Sequence, residues 1–482
     1  MRAAPGAAPA RSLSRAALAA ADSSRRHTPP ARIVHIGLGG FHRAHQAWYT
    51  DRAADAAEWG IAAFTGRSPQ AAVAIAAQEG LFTLIERAAD GDSASVIASI
   101  VEAADGANVE RLLNLVAAPA TALATLTVTE AGYRLDPSGR PRADDPLVLA
   151  DLEWIAAACG RDDLLAGPGG PQTALGRLLL GLEARRRTAG GPIAIVPCDN
   201  VPANGAFASS GLVAMAGAVG GELAAWIGDN VSFVSTAVDR ITPKTTPVDC
   251  ATAARLTGWE DHAPIVTEPY REWVLAGEFP AGRPAWESAG AHFVTDVEPF
   301  ERRKLWLLNG GHSLLAYTGL RAGHETVAQA LADRACLRFV NDFWDEAARH
   351  LVDARLDLAG YRAELLQRFA NPRISYPLAQ IATDGVAKLA VRVAPVVLAE
   401  RAAGRDAAAS TLPLAAWVAL VLAGTEFVDT AADSVDAARR LPPHEAIAAL
   451  LSLVEPHLCA DEPVMRRIAQ LVSEDGAPPP MP

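Results

Sequence analysis

The sequence predicts an α/β unit built on a mostly parallel sheet, followed by a mostly α-helical region, and three observations carry that prediction. From residue 32 onward, short apolar strands alternate with helix-like segments, the signature of βαβ crossovers. A glycine-rich turn, GLGGFH, follows the first of these strands directly and opens a helix. After about residue 295 the strand patterns stop, and alanine- and leucine-rich helical patterns run to about residue 473.

Taken in order, residues 1–30 read as a flexible lead-in, because their longest small apolar run, AALAA, is too short for a secretory core. RIVHI is the first strand, with a helix from Phe41, and GIAAF is the second, with a helix from Pro69. LFTLI, SVIASI, a helix from Asn108 and the strand TALATLTV come next. PIAIVP then runs into the polar loop CDNVPANG, and VSFVSTAVDR into ITPKTTP, each reading as a strand with a polar loop at its end. Open α/β sheets bind ligands at the carboxyl ends of their strands. The expected organisation is a lead-in (1–30), a dinucleotide-binding domain (31–295), a helical substrate domain (296–473) and a flexible tail (474–482). That boundary puts Lys304 at a domain seam, where substrate clefts are common.

Composition narrows the function. The 482 residues carry a net charge of −12, which argues against nucleic acid or an anionic membrane surface as main partner, since both require a dense basic face. No window reaches about 18 apolar residues free of charge, so no membrane span is expected. The five cysteines are widely spread without CxxC or nearby histidine spacing, which predicts neither disulfides nor zinc and fits a reducing cytoplasm. His35, His42 and His45 lie close in sequence, but His35 belongs to a strand and the others to the following turn and helix, so no metal is expected there.

The stretch FERRKLWLLNGGH, residues 300–312, is the most unusual. On an α-helical wheel, with Lys304 at zero, Glu301 falls near 60°, His312 near 80° and Asn309 near 140°, at about 100° per residue. Leu305 and Leu308 share that sector, so the polar groups have no wet face of their own. Burying them costs several kcal/mol unless each finds a partner, which leaves a hydrogen-bonded core network or an active site. In the glycine turn, Gly37 and Gly39 occupy the first two positions of a dinucleotide fingerprint, His42 replaces its third glycine, and Gly40 and Phe41 complete the candidate cofactor contacts. The second strand ends in TGRSP without an acidic residue. Arg67 and Ser68 there can tolerate a ribose 2′-phosphate, so these residues leave NAD against NADP open. Asn200, Asp239, Arg240, Glu130 and Tyr133 all stand at predicted strand ends, where caps and salt-bridged turns compete with catalytic roles.

Together, GLGGFHRAHQ, TLTVTEAGY, CDNVPANG, VDRITP, EPYREW and PFERRKLWLLNGGHSLLAYTG, in this order, resemble the polyol-specific long-chain dehydrogenases, the mannitol dehydrogenase family, over roughly residues 30 to 470. The resemblance implies a Rossmann-type N-terminal domain, a largely helical C-terminal domain, and metal-free NAD(P)-dependent oxidation of a secondary alcohol. It implies that Lys304 is the catalytic lysine, that Asn200 and Asn309 hold the reacting oxygen, and that His312 binds substrate. Glu301 matches the family's glutamate before the lysine and, with Glu130, is a proton-relay candidate; Asp239 matches its aspartate near the nicotinamide. Asp384, Gly385, Lys388 and Arg392 meet the family's later DG-x2-K-x3-R pattern, with Ala390 where the family often has proline.

Hydride removal from a secondary alcohol requires a base within hydrogen-bond reach of the hydroxyl, and a lysine serves when burial and a nearby cation lower its pKa. Asparagines are neutral donors suited to a developing alkoxide, and the Gly310-Gly311 pair is expected to leave room for substrate or cofactor. Arg373, Lys388 and Arg392 are the substrate-side cations. Because lysine suits hydroxyls and carboxylates alike, the expectation leans toward mannitol and fructose over mannonate and fructuronate. The expected partner is a small polyol, ketose or uronate, with the chain acting as a monomer. A non-catalytic nucleotide-binding sensor is the rival from another class, although it would need no proton acceptor.

Overall fold

The structure, a computed structural model, describes residues 10–474 except Arg67, Gly167 and Ser375. Six parallel strands form the main sheet: β1 (Ala31–Ile36), β2 (Gly60–Phe64), β3 (Ile100–Ala104), β4 (Leu123–Leu126), β5 (Ile193–Pro197) and β6 (Val231–Phe233). Their order is β3-β2-β1-β4-β5-β6. This is the doubly wound Rossmann arrangement, in which the winding direction reverses between β1 and β4 and opens a crevice at their carboxyl ends. Both faces are covered, so all five residues of GIAAF are buried. Ile33, Ala63, Leu123 and Val196 face one apolar core, while Val34, Phe64, Ala124 and Ile195 face the other, as the two-residue period requires.

Two expected strands are each divided. SVIASI splits because the Ala98 N–H donates to Asp51 Oδ1 at 2.9 Å and Ser99 Oγ donates to the Ala47 carbonyl at 2.7 Å, which turns the chain. Asp92–Ile97 therefore pairs antiparallel with Phe82–Arg87, while Ile100 onward joins β2. VSFVSTAVDR splits at Val234, where Asn204 substitutes for a strand. Its Oδ1 accepts from the Thr236 N–H, and its Nδ2 donates to the Thr236 carbonyl, both at 2.8 Å. Ser235–Asp239 then pairs antiparallel with Glu272–Ala276, away from the main sheet.

The lead-in expected to be flexible is structured from residue 10. Arg11–Ser12 pairs with Trp259–Glu260, and Leu13 and Leu18 are buried with Leu81 and Trp259. Arg15 Nη2 donates to the carbonyls of Ala98 and Ile100, and Arg25 pairs with Asp51 at 2.7 Å. The low apolar content of this segment is offset by arginine anchors that composition does not reveal. The tail expected at 474–482 lies, from residue 475, outside the described residues.

The chain divides into two units, residues 1–298 and 299–482. The second is helical, and its centre is Gly310–Arg321, buried on nearly every side. An all-round apolar helix must be enclosed by others, here Val327–Ala332, Arg334–Ala348 and Leu412–Leu422. No described helix is long and apolar enough to cross a membrane.

Candidate active site

In the first unit the sequence closes a tight turn after β1. Gly37 has φ +114°, and a Cβ on it would overlap the Thr127 carbonyl on the neighbouring strand exit, so only glycine fits. The Gly37 and Leu38 N–H groups donate to the Phe64 carbonyl at 2.8 and 2.9 Å, and Thr127 Oγ1 donates to the Gly37 carbonyl at 2.8 Å. Gly39 and Gly40 differ. A Cβ there would meet no protein atom nearer than 3.5 Å and 3.6 Å respectively, so packing does not demand glycine at either. A cradle that a Cβ would fill at the sheet's winding reversal fits a dinucleotide pyrophosphate.

Beneath the turn, the rings of His35 and His42 stack with centroids 3.3 Å apart and 9° between planes. His35 is held by Thr125 Oγ1 at 2.7 Å and Thr127 Oγ1 at 3.1 Å, and burial pushes its pKa down to about 3. His42 is pushed well below its usual value by burial first and then by His35. His45 turns its Nε2 to the Glu272 carbonyl at 3.0 Å, and Phe41 stacks on its ring. These three histidines thus brace the turn.

The loops after β4 and β5 are tied together by a residue the sequence reading passed over. Asp199 accepts from the Thr129 N–H at 2.9 Å and from the Tyr133 hydroxyl at 2.8 Å. Burial raises the Asp199 pKa, and those two hydrogen bonds oppose the rise. Thr129, β-branched at φ +66°, is held in a strained conformation by that contact. Asn200 follows on the exposed side of the same loop, and Glu130 is exposed at the start of the helix Glu130–Tyr133. Asp239 is buried at the end of its strand. Arg240 is structural: it pairs with Glu86 at 2.6 Å and donates to the Ala44 carbonyl. Arg67 lies outside the described residues, and the adjacent Ser68 hydroxyl contacts the Gln70 side chain.

In the second unit the α-helical wheel fails at the residues that matter. Glu298–Arg303 is α-helical, but Lys304–Asn309 is a π-helix before α-helix resumes at Gly310. The Gly310 N–H reaches the Leu305 carbonyl five residues back. Lys304 and Asn309, separated by about 140° on an α-wheel, are therefore brought close to one full turn apart on one side. Such π-bulges are frequent at functional sites. Trp306, Leu307 and Leu308 are buried behind them, and Trp344 Nε1 donates to the Leu307 carbonyl at 2.8 Å. Lys304, Asn309 and Glu301 are partly buried. Among the described residues, the Asn309 amide makes no side-chain hydrogen bond.

The glycines that follow do not leave room for a ligand. A Cβ on Gly310 would lie 2.8 Å from the Phe343 ring, and one on Gly311 would lie 3.0 Å from Trp344 Nε1, so the pair exists for close helix packing. His312 stacks on Phe369 with centroids 4.4 Å apart. Arg392 Nη1 donates to Ser313 Oγ at 3.2 Å, which brings the end of Gly385–Arg392 against His312's neighbour. Ala390 keeps an N–H that proline would remove, and the helix runs on to Arg392. Lys388 donates to the Ile381 carbonyl and Thr383 Oγ1, both at 3.1 Å. Arg373 is exposed in the loop before Leu378–Ile381. Elsewhere in the unit, His324, Asp333 and Cys336 bring ligand-type atoms within 4.8 Å of one another, a grouping that cysteine spacing did not suggest. Asp333 serves there as the cap of Arg334–Ala348 and accepts from His324 at 3.2 Å.

Comparison with known proteins matches both units to one family. Residues 31–288 match the mannitol dehydrogenase Rossmann domain, and residues 296–471 match the mannitol dehydrogenase C-terminal domain. The chain is 36% identical over 418 residues to a D-mannonate oxidoreductase of Escherichia coli (strain K12), covering 84% of this chain and 82% of that protein. It is likewise 36% identical over 390 residues to a D-arabinitol 4-dehydrogenase of Ralstonia nicotianae, covering 79% and 81%. Among solved structures, it is similar to a ternary complex of Pseudomonas fluorescens mannitol 2-dehydrogenase with NAD and D-mannitol. The TM-score is 0.73 and the identity 30%, with coverage of 92% of this chain and 95% of that one.

Proposed function

This chain belongs to the mannitol dehydrogenase family of oxidoreductases, and from that premise we propose that it interconverts a secondary alcohol on a polyhydroxylated chain with the ketone, Lys304 carrying the proton. The reaction type is mannitol to fructose, or mannonate to fructuronate when the chain ends in an acid. NAD is the proposed nucleotide, supported by the Gly37–Gly39 turn and by the NAD complex of the similar mannitol 2-dehydrogenase; NADP is the alternative that Arg67 and Ser68 would accept. When bound, the nicotinamide supplies the hydride acceptor.

The chain's own residues supply the rest. Lys304, as general base, takes the hydroxyl proton as alkoxide character develops on the oxygen. Asn309 donates an amide N–H group to that oxygen and stabilises the charge without competing for the proton. His312, braced by Phe369, orients a neighbouring hydroxyl, and Glu301 and Glu130 pass the proton to solvent. The observation that carries this reading is the π-helical turn, which aligns Lys304 with an Asn309 amide that has no side-chain hydrogen bond among the described residues. A regulatory nucleotide sensor would have no use for that alignment.

The test follows reduced-nicotinamide absorbance over a panel of polyols, ketoses and uronates with both nucleotides, for wild type and Lys304→Ala. Loss of the base should lower kcat by about a hundredfold to ten-thousandfold while nucleotide affinity stays within about twofold of wild type. A variant that keeps nearly full kcat at neutral pH overturns the assignment.

A further inference from the structure

Three side chains with metal-ligating atoms meet beyond the end of Gly310–Arg321 that is remote from the reacting groups. That helix is 12 residues long, roughly 18 Å, so its last turn is well removed from Lys304 and Asn309. A ring nitrogen of His324, a carboxylate oxygen of Asp333 and the Cys336 sulfur all lie within 4.8 Å of one another. Among the described residues this is the only grouping of three such side chains.

Local structure fixes where each of the three stands. Gly323, at φ +81°, ends the helix, and the Gly323 and His324 N–H groups donate to the carbonyls of Leu320 and Gly319 at 3.1 and 2.9 Å. A short helix, Val327–Ala332, opened by a capping box of Thr326 and Gln329, then returns the chain to Asp333. Asp333 caps Arg334–Ala348, and Cys336 lies in the first turn of that helix. The two oxygens of Asp333 have separate tasks. Oδ1 accepts from the Ala335 and Cys336 N–H groups at 2.7 and 3.4 Å, while Oδ2 is turned to His324 Nε2 at 3.2 Å. Capping therefore leaves one carboxylate oxygen for a cation.

The donor set names the class of cation. Zinc-class ions bind nitrogen and oxygen at about 2.0–2.2 Å and thiolate sulfur at about 2.3 Å in a tetrahedron, which sets ligand atoms roughly 3.3–3.6 Å apart. His324 and Asp333 already stand close to that spacing. Both side chains are partly exposed, so small rotations bring them toward the buried sulfur. Ca2+ and Mg2+ take oxygen ligands, whereas an imidazole and a thiolate beside one carboxylate suit Zn2+ and its tetrahedral substitute Co2+. The exposure of His324 and Asp333 leaves solvent as the fourth ligand.

We propose that His324, Asp333 and Cys336 bind one zinc-class ion, Cys336 releasing its thiol proton to solvent on ligation, and that the ion clips the end of Gly310–Arg321 to the start of Arg334–Ala348. It is a structural ion with no part in proton or hydride transfer. Cysteine spacing does not predict it. The ligands are a D-x2-C pair and a histidine nine residues before the aspartate, gathered only by the Gly323 turn and the short helix that follows.

The experiment titrates chelator-treated protein with Co2+ and follows absorbance, in wild type, Cys336→Ser and His324→Gln. Wild type should take up one equivalent, with a near-ultraviolet thiolate-to-cobalt band and the intense visible bands of tetrahedral cobalt, both erased by an equivalent of Zn2+. Each variant should lose at least about a hundredfold in affinity, and Cys336→Ser should lose the thiolate band. His324 is partly exposed, so His324→Gln gives a second reading should serine at the buried position unfold the chain. Zn2+ should raise the urea midpoint of wild type and leave that of His324→Gln unchanged. A thiolate band that persists in Cys336→Ser, an octahedral cobalt spectrum alone, or equal affinity in wild type and His324→Gln overturns the site and leaves a plain hydrogen bond between His324 and Asp333. A kcat that falls when the ion is removed overturns its structural role.

Discussion

Replacing Gly37 and Gly39 in turn by alanine separates what the fold needs from what the nucleotide needs. Gly37→Ala puts a methyl group at φ +114°, directly against the backbone carbonyl of Thr127 and 2.9 Å from its Oγ1. Backbone strain in such a region costs about 1–3 kcal/mol. Overpacking against a rigid neighbour costs about 1–3 kcal/mol more, so about 2–6 kcal/mol of stability should be lost. Gly39→Ala is different, because its backbone has an ordinary φ of −137° and the added methyl would lie 3.5 Å from the nearest protein atom, the Gly37 carbonyl. Its stability should stay within about 0.5 kcal/mol of wild type. If the pyrophosphate lies against this backbone, the same methyl should weaken nucleotide binding at least about tenfold, or about 1.4 kcal/mol. Urea unfolding followed by circular dichroism measures the first quantity, and titration of NADH fluorescence measures the second. A Gly39→Ala protein of wild-type stability and unchanged NADH affinity would refute the placement of the nucleotide at this turn. A Gly37→Ala protein with a wild-type urea midpoint would refute the steric reading of its φ.

Asn309→Ala should lower kcat by about a hundredfold or more while changing KM little, since a donor to a developing alkoxide acts in the transition state; effects confined to KM would reduce it to a ground-state binder. Stability should decline with acidity from about pH 6.5 toward pH 3, because buried His35, with its pKa lowered to about 3, and His42 stay neutral in the fold while the unfolded chain takes up both protons. The slope is about 1.4 kcal/mol per pH unit for each histidine. Urea midpoints of wild type and His35→Asn between pH 7 and pH 5 check this, and a variant with an undiminished slope would contradict it. Turnover should survive dialysis against a chelator, since Lys304 does the work a Lewis acid would do, and a stoichiometric metal whose removal stops catalysis would overturn that expectation.

Much of the fold was legible because it rests on local rules. The two-residue alternation in RIVHI and GIAAF specifies strands with two covered faces, and glycine after β1 marks a turn that only a positive φ can close. The order of the motifs pointed to the family because they stand at strand ends and at one helix entrance, where polar and glycine residues interrupt the apolar pattern. Three decisions belonged to tertiary structure. Asn204 and Asp51, remote from the strands they interrupt, divide VSFVSTAVDR and SVIASI by capturing single backbone groups, and no periodicity encodes such captures. The π-turn at Lys304–Asn309 depends on enclosure of Trp306, Leu307 and Leu308 and on the Trp344 indole meeting the Leu307 carbonyl, so a wheel with a fixed angle per residue misplaces Asn309. The state of Arg392 is a matter of which acids reach it. Formal charge is written in the sequence, but whether a cation is neutralised depends on distances between residues far apart in the chain, and here Asp384 and Asp429 are held by backbone N–H groups instead.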